Sequence, residues 1–158
     1  MYRLLFLLSV IIFASCNHAT QTNAPAESFN LDSAKAHILK MNESYSQRFT
    51  SNDSMFYVNR YCVDAAVYSP NMPAVLGRDS IRSFFYNGGQ NTEAKIELPA
   101  GQIYGNKDLV LEEGSYNFPD GKGGSFDKGK FIAIWKMEDS VWKLYREIWN
   151  SDLLPPKQ

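Results

Sequence analysis

The chain has 158 residues, 44% of them hydrophobic and 21% charged, with 16 Lys and Arg against 17 Asp and Glu for a formal charge of −1. That balance offers no basic stripe to a phosphate backbone, so it excludes a nucleic-acid-binding protein. Two cysteines and two histidines, His18 and His37, are too few for a disulfide framework or a clustered metal site.

The first element is a leader. Arg3 gives a short positive start, and Leu4 to Ala14 is apolar except for Ser9. Spanning a bilayer as a helix takes roughly 20 apolar residues, and this run is about half that. It fits the apolar stretch of a secretory signal. Phe13-Ala14-Ser15-Cys16 closes it. This ending resembles a bacterial lipobox, with Phe13 in place of the usual Leu. The resemblance implies a signal over residues 1–15 and a lipidated Cys16 at the mature N-terminus. Asn17 follows, not the aspartate that retains many lipoproteins at the inner membrane, so the expected location is the outer membrane, facing the periplasm. Residues 17–28 are small and polar without apolar periodicity and cannot bury enough surface to order themselves. They read as a tether.

Residues 29–158 form one domain of ordinary size. Leu31 to Ser51 places Ala34, Ile38, Met41, Tyr45 and Phe49 three and four apart, an apolar stripe that predicts a helix capped by Asn30 or Asp32. A shorter helix is predicted from Ser54 to Tyr61, capped by Asp53, with Met55, Val58, Tyr61 and Cys62 turned inward. Asp64 to Pro70 reads as a strand stopped by proline. A third helix runs from Asp79 to Tyr86 and ends at Gly88-Gly89.

The second half is strand-like. Lys95 to Tyr104 is predicted as one extended run, with a break at Pro99-Ala100-Gly101. Leu109 to Phe118 follows, then a glycine-rich loop over 119–124, and then Lys130 to Met137. A tight turn at Glu138-Asp139-Ser140 leads into a last strand, Val141 to Trp149. Helices first and antiparallel strands after imply an α+β fold, with helices packed on one face of a curved sheet.

Several of these segments together resemble SnoaL-like domains of the nuclear transport factor 2-like superfamily. They are Asn52-Asp53, Tyr61 to Val67, Pro70, Gly77-Arg78-Asp79-Ser80-Ile81, Gly129 to Lys136, Trp142-Lys143-Leu144 and Trp149 to Asp152. The resemblance spans about Asp32 to Leu154. It implies a cone-shaped α+β barrel around a pocket, commonly in a homodimer. It leaves function open, because the superfamily includes isomerases, dehydratases, hydrolases and plain binding proteins.

Strict alternation along the last strand puts Lys143, Tyr145, Glu147 and Trp149 on one face and Trp142, Leu144, Arg146 and Ile148 on the other. The resemblance puts ligand contacts on the first parity. Phe131, Ala133, Trp135, Tyr145, Glu147 and Trp149 are therefore assigned to the cavity. Trp142, Leu144 and Ile148, with Ile132 and Ile134, are assigned to an outer face covered by a second copy. Glu147 is the leading catalytic candidate, because a carboxylate among aromatics resists ionisation and can move a proton. The bland alternative is a structural ion pair. Asp64 matches an acidic family position and is the second candidate, with a turn or cap as its bland reading. Tyr57, Tyr61 and Tyr68 are candidate hydrogen-bond donors to a ligand, or core residues. One of Glu112 and Glu113 must face inward, and the sequence does not say which.

No phosphate loop, serine elbow or metal-ligand cluster is present. Cys62 reads as a small core residue, and no cofactor or metal is expected. The sequence supports an envelope protein that binds a small apolar ligand. Its alternatives are an acid–base enzyme on such a molecule and a homodimeric interaction module. A second carboxylate, or an Arg or Asn, within hydrogen-bond reach of Glu147 would favour the enzyme. A cavity filled by Trp135 and Trp149 would favour the structural role.

Overall fold

The computed structural model describes residues 28–49, 54–87 and 95–154, apart from the side chains at 54, 57, 86 and 87. The leader with Cys16, the tether up to residue 27, the Asp53 cap, the Gly88-Gly89 stop and the Tyr57 side chain lie outside the described residues. No described helix is long and apolar enough to cross a membrane.

The helices are α1 (Leu31–Arg48), α2 (Ser54–Arg60) and α3 (Arg78–Asn87). The strands are β1 (Tyr61–Tyr68), β2 (Val75–Leu76), β3 (Gln102–Gly105), β4 (Leu109–Pro119), β5 (Ser125–Glu138) and β6 (Val141–Ser151). Asn30 caps α1, its Oδ1 accepting from Ser33 N–H at 3.0 Å. α2 stops one residue earlier than its periodicity suggests. Tyr61 and Cys62 instead open β1, where both are buried. Met55, expected inward, is exposed. The extended run at 95–104 narrows to β3 and a single bridge between Glu97 and Asn117.

The strands form one six-stranded sheet in the order β2-β1-β6-β5-β4-β3. It is mixed, not wholly antiparallel: β1, which follows α2 directly, pairs parallel with β6. It is also an open sheet, its edges at β2 and β3, not a closed barrel. The β5–β6 turn is the predicted one, with Asp139 and Ser140 at φ 53° and 62°. Positive φ at both central residues matches the twist of a two-residue hairpin.

Two irregularities set which residues face the helices. In β5–β6, Ile134 pairs with Arg146 but Trp135 pairs with Leu144, so Tyr145 is an extra residue, a β-bulge. Alternation therefore slips by one across Tyr145. Glu147 and Trp149 stay on the inner face opposite Ala133 and Phe131, while Leu144 and Trp142 join them there. The assignment of Trp142 and Leu144 to an outer face is thus corrected. Both are buried, and Trp142 meets Phe29 edge-to-face at 6.0 Å. His37 Nε2 donates to the Trp142 carbonyl at 3.0 Å, which seats α1 over the start of β6. The outer face keeps Ile132 and Ile148 exposed, with Ile134 half-buried. A matching slip in β1 lies between Tyr61 and Ala66 and turns Val63 and Asp64 out to solvent.

The core runs from Ala34 and Ile38 through Tyr61, Val67, Ile81 and Val110 to Trp135 and Leu144. Fully burying a large apolar side chain contributes roughly 1.5–3 kcal/mol, so these contacts hold the helices on the sheet. The bulge has a direct consequence for stability. Leu144→Ala should destabilise the domain by roughly 2–5 kcal/mol, whereas Ile148→Ala on the same strand should stay within about 0.5 kcal/mol in denaturant melts of the monomer. Equal costs would mean that the strand alternates without a slip.

Candidate functional site

Between the helices and the inner face of the sheet lies a cavity of about 230 Å³. α1 supplies Asn42, Tyr45 and Phe49, α2 supplies Arg60, and α3 supplies Phe84 and Phe85. From the sheet come Glu112, Tyr116 and Phe118 of β4, Phe131 and Ala133 of β5, and Glu147 and Trp149 of β6, with Ile96 and Leu98 before β3. The wall is aromatic, with a few polar groups at its base, a composition typical of small-molecule sites. Gly114 shapes one side. A Cβ there would lie 2.5 Å from the Phe131 ring, so only glycine lets that ring lie across β4.

Glu147 faces the cavity, as expected. Its Oε2 accepts from the Tyr61 hydroxyl at 2.7 Å. Among the described residues no hydrogen bond reaches Oε1. Burial raises its pKa above the usual glutamate value, while the charge of Arg60 and the Tyr61 hydrogen bond hold it back. Tyr61 is itself pushed well above the usual phenol value, first by burial and then by the Glu147 charge, so it stays a donor.

A second carboxylate shares the cavity. Glu112 is the inward member of its pair, 2% exposed, while Glu113 points out to Tyr104. Asn42 Nδ2 donates to Glu112 Oε1 at 2.5 Å and Trp135 Nε1 donates to Oε2 at 2.9 Å. Burial raises Glu112 too, against the Trp135 bond, the Arg60 charge and the Asn42 bond. Arg60 is 4% exposed. It donates to Met41 O at 2.8 Å and Asn42 Oδ1 at 2.7 Å, and its guanidinium lies over the Tyr45 and Trp135 rings at 4.9 and 5.2 Å. It makes no ion pair among the described residues.

The sequence-derived site residues are thus partly brought together. Phe131, Glu147 and Trp149 line the cavity, and Tyr61 touches Glu147 from behind. Trp135 lies beneath the wall, fully buried, so neither it nor Trp149 fills the space. Tyr145, the bulge residue, is not in the wall; Lys136 and Arg146 flank its ring at 4.7 and 3.6 Å. Tyr68 pairs with the outward Ile148 and is exposed. Asp64 is turned out by the slip in β1 and pairs with Lys136 at 3.3 Å, away from the cavity. Asn42 and Arg60 were not anticipated. Asn42 stands four residues after Ile38, a polar residue on the apolar stripe of α1, and that break is the one signal the sequence offered. Arg60 had none beyond sitting next to Tyr61.

Elsewhere, ligand atoms of Cys62, Asp64 and Glu138 lie within 4.8 Å of one another. They do not suit a metal ion. Lys143 and Arg78 pair with Glu138, and Lys136 holds Asp64. Burial and the nearby Glu138 and Asp64 charges push the Cys62 thiol up to about 11, which disfavours the thiolate a metal needs.

No model of a known protein family matches the sequence, and no curated protein matches it. Solved structures do resemble it. A protein of unknown function with a cystatin-like fold from Nostoc punctiforme aligns at 16% identity and TM-score 0.69, covering 83% of this chain and 98% of that one. A nuclear transport factor 2-like superfamily protein from Salmonella enterica serovar Typhimurium aligns at 14% identity and TM-score 0.66, over 79% and 95% of the two chains. A ketosteroid isomerase-like protein from Erwinia carotovora aligns at 14% identity and TM-score 0.62, over 80% and 100%. At such identities the likeness establishes the fold alone: this chain has the nuclear transport factor 2-like, or cystatin-like, fold.

Proposed function

We propose that the chain is a small-molecule binding protein of the SnoaL-like type, whose cavity takes a compact, largely apolar ligand with one polar group set against Glu147. One observation carries this: Glu147 offers an oxygen to an aromatic cavity and has no partner for it among the described residues. Glu147 is half-buried, so this oxygen meets the cavity and not bulk solvent, and an acceptor without a partner in such a site is poorly satisfied. A ligand group at Oε1 gives it a partner, and the aromatic wall supplies apolar burial for the rest of the molecule.

Acid–base chemistry on that ligand is the second reading. The same carboxylate favours it, since burial brings its proton affinity closer to neutrality, where a general base works best. The ketosteroid isomerase-like neighbour is consistent with this. Only one carboxylate is free to act, however, because both oxygens of Glu112 already accept hydrogen bonds. The nearest partner of Glu147 is Tyr61, not a second carboxylate, Arg or Asn. Binding therefore stands first.

Substitution at Glu147 separates these roles. Glu147→Gln should leave the melting temperature within a few degrees of wild type, because no ion pair is broken. If the carboxylate moves protons, turnover of an apolar ketone or epoxide should vanish while its binding persists. If the protein only binds, wild type should show binding without turnover. A variant that melts far lower would make Glu147 a structural ion partner and would contradict both.

The envelope location and the pairing belong to the same proposal. Lipid on Cys16 would hold the domain at the outer membrane, and a second copy would cover Ile132 and Ile148. The full chain should fractionate with membranes and Cys16→Ser should not, and residues 29–158 should sediment at twice the chain mass. Membrane fractionation of Cys16→Ser would contradict the lipid anchor, and a monomer at micromolar concentration would contradict the dimer.

A further inference from the structure

The charges in the cavity can be counted from their hydrogen bonds. Arginine only donates, so Asn42 turns its amide oxygen to Arg60 and its NH2 to Glu112. Both Glu112 oxygens then face donors, Asn42 Nδ2 and Trp135 Nε1, which leaves no acceptor for a proton on Glu112. Glu112 is therefore held as a carboxylate and Arg60 as a guanidinium, and each offsets the other through Asn42. Tyr116 also faces the cavity, its hydroxyl donating to Asp127 Oδ2 at 3.0 Å. No Lys or His is among the described residues that line it. The Arg60 charge reaches both Glu112 and Glu147, so one cation stands against two carboxylates, and among the described residues of the wall the open acceptor is Glu147 Oε1, its Oε2 being on Tyr61.

From this count we infer that the cavity selects a protonated amine: a small apolar body whose ammonium group sits on Glu147. This rests on the reading of the cavity as a ligand site. An ammonium balances the second of the two carboxylates, and it donates the hydrogen bond that Oε1 lacks. The surroundings suit a cation. Phe84, Phe85, Phe131 and Trp149 all line the same space, an aromatic wall of the kind that attracts a cation. A carboxylate ligand would place a further negative charge beside Glu147 and Glu112 in a poorly solvated site. A neutral alcohol supplies one donor and no charge.

Three probes of nearly equal shape test this: 2-phenylethylamine, 2-phenylethanol and phenylacetate, titrated calorimetrically into the purified protein at neutral pH. The amine should bind at least about tenfold more tightly than either of the others. Glu147→Gln should abolish that advantage, weakening the amine far more than 2-phenylethanol. Glu147→Ala serves as a second variant and should also remove the amine's advantage over the alcohol. Phenylacetate or the alcohol binding as tightly as the amine would overturn the ammonium assignment and leave the cavity a ligand site. An amine advantage that survives both variants would overturn it too. Binding of none of the three would overturn the assignment and the ligand-site reading together.

Discussion

A cation buried without a carboxylate against it is the constraint on which this structure turns. Arg60 ends α2 inside the molecule and lies over two aromatic rings. Removing a charge from water costs several kcal/mol unless opposite charge and hydrogen bonds replace the solvent. Here Glu112 supplies the charge, and Asn42 carries the connection between the two. The link joins α1, α2 and β4, and Trp135 of β5 adds a fourth element through its indole N–H. The helical layer is thereby fixed to the sheet by polar contacts at the base of an otherwise apolar cavity. Because that unit is closed, Glu147 is the carboxylate with an open oxygen among the described residues that line the cavity.

The backbone places Glu147 there through a defect in regularity. A strictly alternating β6 could bury Trp142 and Leu144 or Glu147 and Trp149, but not all four on one face. The extra residue at Tyr145 allows both pairs to face inward. The first pair then completes the core under α1, and the second lines the cavity. The displaced Tyr145 ring is covered by the Lys136 and Arg146 cations. One inserted residue thus divides the strand into a packing half and a site half.

The helices, the hairpin turn and the inward parity of Phe131, Ala133, Glu147 and Trp149 were legible because they follow from local periodicity. The bulges were not, since a register slip is decided by pairing with neighbouring strands, and both faces of β6 carry apolar residues. Trp142, Leu144 and Tyr145 were misplaced for that reason, whereas Asp64 was offered by the family resemblance and Tyr68 by its residue type. The choice between Glu112 and Glu113 likewise needed the register of β4. Asn42 and Arg60 lie 18 residues apart and act only together. Neither residue alone announces the unit.

Arg60 and Glu112 are energetically one unit, and a double-mutant cycle measures this directly. Arg60→Met and Glu112→Gln should each cost roughly 3–5 kcal/mol, because each leaves a buried charge uncompensated. The double variant should cost less than the sum by at least about 1 kcal/mol. Costs that add to within about 0.5 kcal/mol would show that the two residues are independent, and the closed unit that leaves Glu147 as the odd charge would not exist.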